Sequence, residues 1–134
     1  MTDAVVSVRY GILCEDIRRE DNGKHILIGM YGRNIELTTI PGHLALALLL
    51  AIDATGPGTS KIEVVGLLNN DQVSKAAGEI RFDAEGLILL PLPTVPVLIE
   101  NQGALVFRAK LEDGEWVDLW KGPVALRGSP SSQA

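Results

Sequence analysis

Apolar and polar side chains alternate along most of this chain with a period of two residues, the pattern of strands that keep one face in an apolar interior. Val6, Val8, Tyr10, Ile12 and Cys14 fall on one face of a first strand, with Ser7 and Arg9 on the other. A charged connection over residues 15–23 then turns the chain, and Asn22-Gly23 supplies the positive φ that a tight turn needs. Ile26, Ile28 and Met30 take the inward face of the return strand, Ile35 and Leu37 repeat the alternation, and Pro41-Gly42 interrupts it. Ile62, Val64 and Leu68 form another inward set with Lys61 and Glu63 outward. Asn69-Asn70-Asp71 marks a turn, and Ile80 and Phe82 alternate with Glu79, Arg81 and Asp83.

Two segments depart from simple alternation. Residues 44–52 are built of Leu, Ala and Ile, and the good helix formers Ala and Leu compete there with a perfect alternation of Leu44, Leu46, Leu48, Leu50 and Ile52. The run is short and bracketed by Pro41-Gly42 and Gly56-Pro57-Gly58, so a strand covered on both faces is preferred to a helix. Pro91, Pro93 and Pro96 withhold three ladder donors, so their segment is expected to cross between sheets or run along an edge. A peptide-ligand role for Pro93-Thr-Val-Pro96 is disfavoured by its apolar flanks.

The last hairpin permits a choice of register. A two-residue turn at Asp113-Gly114 would set Glu112 against Glu115. A three-residue loop over 112–114, closed by a left-handed Gly114, pairs Phe107 with Leu119 and Ala109 with Val117 inward. It also sets Arg108 against Asp118 and Lys110 against Trp116 outward. In that register Trp116 and Trp120 form an outward stripe with Val106 and Lys110, and these four residues are the candidate contact surface. The competing reading puts both tryptophans in a core, under another strand or the proline-rich segment.

The sum is an all-β protein: an antiparallel β-sandwich of about eight or nine strands, with Greek-key, immunoglobulin-like or C2-like topology and no long helix. Residues 1–127 are read as one domain and 128–134 as a disordered tail. A chain of 134 residues can bury an ample core without metal or disulfide staples. Its one cysteine excludes an intrachain bridge. The net charge of −5, with basic residues scattered, argues against nucleic acid, and no stretch supports a secretory signal or a membrane span. A cytoplasmic protein is expected.

The stretch Val8-Arg-Tyr-Gly-Ile-Leu-Cys14-Glu-Asp-Ile17, an acidic loop, and Lys24-His-Ile-Leu-Ile-Gly-Met-Tyr-Gly32 resemble a family of uncharacterised bacterial proteins of about this length. Leu90-Pro-Leu-Pro, Asn101-Gln-Gly103, Leu105-Val-Phe-Arg and Asp113-Gly114 are similar to its C-terminal half, so the resemblance covers residues 5–126. It implies a β-sandwich and brings no activity and no functional residues.

Catalytic constellations are weak. Cys14 and His25 flank one connection, but strand parity sends them to opposite faces. Glu15, Asp16, Glu20 and Asp21 are interleaved with Arg18 and Arg19 and match no calcium loop. His43 has no partner at ligand spacing. Gly56-Pro-Gly-Thr-Ser-Lys61 has the wrong order for a phosphate loop, and Gly29-Met-Tyr-Gly32 lies in a strand pattern with no helix after it. No catalytic residue, metal or cofactor is assigned. The expected function is a non-enzymatic module acting through protein contacts, as a homo-oligomer or with another protein. The alternative is a small-molecule-binding or hydrolytic site beside residues 15–23, drawing on Asp16 or His25. A role in a phage-derived or secretion assembly is not separable from the first reading by sequence.

Overall fold

The computed structural model describes residues 6–112 and 114–128. The described residues form nine strands and no helix: β1 Val6–Arg19, β2 His25–Met30, β3 Ile35–Leu37, β4 Gly42–Ala54, β5 Gly58–Leu68, β6 Asp71–Phe82, β7 Gly86–Ile99, β8 Gly103–Leu111 and β9 Val117–Leu126. They build two sheets, one ordered β2-β1-β4-β7 and the other β3-β9-β8-β5-β6. No helix among the described residues is long and apolar enough to cross a membrane. The tail residues 129–134 lie outside the described residues.

The alternating Leu/Ala run is a strand, buried on both faces from Leu46 to Ile52, while Ala45 on the outer face is exposed. Leu44, Leu46, Leu48, Leu50 and Ile52 point into a core shared with Ile62, Val64, Leu105 and Phe107 of the other sheet. On its opposite face Ala51 sits between Tyr10 and Leu89, and Leu49 between Ile12 and Pro91, so these larger neighbours shield them from water. Full burial of each Leu or Ile contributes roughly 1.5–3 kcal/mol, which outweighs the helix propensity of the run. The Asn69-Asn70 turn forms as expected, both residues having positive φ (52° and 70°) between the paired ends Leu68 and Asp71.

Bulges changed several of the expected faces. Val6 and Val8 pack against the core as expected. The β1–β4 register then shifts between Val8 and Tyr10, so Arg9 is an extra residue and every later side chain changes sides. Gly11 and Leu13 consequently point inward, opposite Leu50 and Leu48, whereas Tyr10, Ile12 and Cys14 lie on the outer face. The arginine at the bulge is held by Asp53, its Nε donating at 2.9 Å.

The 15–23 connection is also shorter than the charge run suggested, because β1 continues to Arg19 and only residues 20–24 turn. Gly23 supplies the positive φ there, 87°. Ile26, Ile28 and Met30 are exposed rather than inward, opposite Arg18, Asp16 and Cys14. The reason is topological: β1 leaves β4 at Cys14, the same residue at which it begins to pair with β2, so β2 hangs on an extension beyond the shared core.

One strand pairing is parallel, that of β3 with β9, so the expectation of a wholly antiparallel arrangement fails at that edge. The proline-rich segment is the edge strand β7, as one of its two expected readings had it.

Candidate interaction surface on the five-stranded sheet

The hairpin of β8 and β9 starts in the expected register. Ala109 faces Val117, and Arg108 faces Asp118 with Nε donating to the carboxylate at 2.9 Å. The register then shifts, so that Phe107 faces Trp120 instead of Leu119. The extra residue, Leu119, packs inward against Gly11. The left-handed residue identified in the loop is Glu112, φ 49°; Asp113 lies outside the described residues.

This bulge divides the expected tryptophan stripe. Trp120 turns to the inner side, packs against the core, and its indole N–H is shared between the carbonyls of Gly32 (3.0 Å) and Tyr31 (3.2 Å). Trp116 precedes β9 and stays 41% exposed, with the Lys110 ammonium 5.1 Å from its ring centroid. Such a cation over an exposed indole contributes about 0.5–1 kcal/mol and holds both side chains against the sheet. Val106 and Lys110 alternate with buried Leu105, Phe107, Ala109 and Leu111, which sets them on the outer face.

That outer face continues across β5 to β6. Lys110 stands opposite Glu63, and Glu63 opposite Ala77; Lys61 stands opposite Glu79, and Val65 opposite Lys75. Lys75 Nζ reaches Glu63 at 3.3 Å. A shallow hollow of about 310 Å³ crosses these strands, bounded by Lys61, Glu63, Ala77, Gly78, Lys110 and Glu112. At its far side β6 has β5 as its one neighbour among the described residues, so within them the backbone groups facing away from β5 form an open ladder. Ala76, Ala77, Gly78 and Glu79 are all exposed along it. The sequence reading missed this edge. Its signal, a lysine and a glutamate placed symmetrically about Ala77, has meaning only once the strand is known to be an edge.

Beside it, a groove of about 120 Å³ opens onto the core between β6 and β7, with Leu46, Leu48, Val64, Leu92 and Phe107 in its walls. The outer face of the four-stranded sheet is more apolar, with Tyr10, Leu87 and Leu89 exposed around buried Leu49 and Ala51.

The residues of the alternative site do not converge. The Asp16 carboxylate accepts from the Ile17 N–H at 2.9 Å and from Arg18 Nε at 3.3 Å, and lies 2.9 Å from the Thr94 hydroxyl. The Thr94 contact above all, then Arg18, holds its carboxyl below the ordinary range. Cys14 is buried, its Sγ directed to the carbonyls of Asp16 (3.4 Å) and Ala47 (3.7 Å), and burial pushes the thiol up. A thiol so placed is held protonated, which suits an inert packing role. His25 instead lines a separate cleft of about 300 Å³ with Ile17, Arg19, Leu89 and Pro91, and its Nδ1 is buried without a partner among the described residues. Among the described residues no group of three His, Cys, Asp or Glu is placed to hold a metal ion. No protein-family model matches the chain, and no curated protein matches it.

Proposed function

We propose that the protein is a non-enzymatic β-sandwich module that works through protein contacts, in the cytoplasm, and forms homo-oligomers. In this reading the two sheets are the layers of the sandwich, and the working surface is the outer face of the five-stranded one. The open ladder of β6 carries the reading, because a long unpaired strand edge is a ready template for a strand from another chain. The Trp116–Lys110 stack and Val106 extend that surface with the aromatic and apolar groups that contact sites favour. Sedimentation velocity across low to high micromolar protein tests it: a concentration-dependent shift from monomer to dimer is expected, and monomer throughout the range would reject self-association.

A second reading, a small-molecule site, is favoured by the orphaned Nδ1 of His25 in the cleft beside Arg19. An anion such as benzoate would satisfy both groups and place its ring on Leu89 and Pro91. Chemical shifts of the His25 ring that ignore millimolar benzoate would eliminate this reading.

A further inference from the structure

We propose that β6 meets β6 of a second copy of this chain, edge to edge and antiparallel, about a two-fold axis at Ala77. This rests on the contact-module reading above and names its partner and register.

The four sheet edges are unequal. β3 is three residues long. β2 is six residues long and kinks at Gly29, φ 64°. β7 carries Pro91, Pro93 and Pro96 and a bulge between the residues that face Leu46 and Leu48. β6 runs 12 residues without a proline, and its register with β5 is unbroken from Ser74 to Phe82. That regular stretch has the geometry a new strand requires.

The middle of β6 is built of small exposed residues, Ala76, Ala77 and Gly78, and no atom of the described residues lies within 4 Å of where a Cβ on Gly78 would stand. A second backbone can therefore approach without displacing side chains. With the axis at Ala77, Ala77 faces its own copy and Ala76 faces Gly78. Lys75 faces Glu79 of the second copy, and symmetry makes that pair twice. Each Glu79 then stands between Lys61 of its own β5 and Lys75 of the second copy, continuing the alternation of charge already present across the sheet.

Neighbouring two-fold registers lose this match. Moving the axis to Gly78 brings Lys75 opposite Arg81, two like charges. Moving it to Ala76 leaves Lys75 against Ala77 and Glu79 against Val73, with both charges unmatched. The charge pattern on β6 thus selects one register as well as one partner.

The test is a charge exchange on the full chain, read by sedimentation velocity over the same concentration range, with thermal melts to confirm that each variant folds. Lys75→Glu and Glu79→Lys each convert two attractive pairs into two repulsive ones, so each should raise the dimer Kd by about tenfold or more. The double variant K75E/E79K restores both pairs and should dimerise like the parent. An equimolar mixture of the two single variants should form the heterodimer, whose pairs are again opposite in sign. A parent that dimerises while both single variants dimerise equally well would overturn the β6 register and leave self-association standing. Failure of the double variant and of the mixture to recover would overturn it as well. A parent that stays monomeric would remove both readings together.

Discussion

Strands β6 and β7 are of similar length, 12 and 14 residues, and each is the edge of its sheet, yet their exposed sides carry opposite chemistry. Along β7, Pro91 and Pro96 stand opposite Leu49 and Ala45, within a pairing that β4 maintains around them. Their nitrogens therefore lie on the solvent side, where a missing N–H costs the native ladder nothing and denies an incoming strand its partner. Pro93 and Thr94 fall in the bulge, and the Thr94 hydroxyl lies 3.1 Å from the Glu15 carbonyl and 2.9 Å from the Asp16 carboxylate, fastening the bulge to β1. β6 has none of these devices over Ser74 to Phe82, and its small residues keep the approach clear. One edge is thus closed by composition while the other is left available among the described residues, an asymmetry that would give the proposed association its direction.

The largest effect is expected from opening the closed edge. Pro91→Val with Pro96→Val restores two ladder donors to the solvent side of β7, and sedimentation should then show species beyond the dimer that grow with concentration. An unchanged distribution would mean that the prolines do not guard this edge.

A second substitution perturbs the sheet that bears β6 without altering its edge. Gly66 of β5 lies beneath the Phe107 ring, and a Cβ there would stand 2.7 Å from the nearest ring carbon. Gly66→Ala should destabilise the fold by roughly 1–3 kcal/mol in denaturant titration, because a packed ring must shift. The β6 edge should pair as before at low denaturant.

Thr94→Val sharpens the view of how the β7 bulge is secured. The folded Asp16 carboxyl is held below its unfolded value, so its contribution to stability is present above the unfolded pKa and lost as pH falls through the folded one. Removing the Thr94 hydroxyl should move the carboxyl titration upward by NMR and shrink that acid-labile contribution. A titration identical to the parent's would show that Thr94 does not tie Asp16.

The smallest effect belongs to the outer face itself. Lys110→Ala removes the cation above Trp116 at a cost of about 0.5–1 kcal/mol or less. In a Trp120→Phe background, the emission of Trp116 should move to the red and become easier to quench. Unaltered emission would mean that the stack does not hold the indole.

Much of the strand content was legible along the chain, because alternation over β4, β5, β6 and β8 expresses one requirement, an apolar face turned inward. The Asn69-Asn70 turn and the exclusion of the proline-rich strand from a central place were legible for local reasons, positive φ and missing donors. The faces of Tyr10, Ile12, Cys14 and Trp120 were not. Each follows a bulge, at Arg9 or Leu119, and one inserted residue reverses all later parity without leaving a mark in composition. The exposure of Ile26, Ile28 and Met30 escaped notice for another reason: their alternation is sound, but no opposing layer covers β2.

The order of residues settled that this chain is all-β, where the Asn69-Asn70 turn falls, and that its proline-rich segment cannot be a central strand. Those are properties of φ, of donors and of period-two burial, all set within a few residues. Only the packing of distant segments fixed which strands became edges, which face each side chain took after a bulge, and that Lys75 and Glu79 flank a ladder left unpaired among the described residues. Those depend on contacts between residues distant in the chain, which local sequence does not encode.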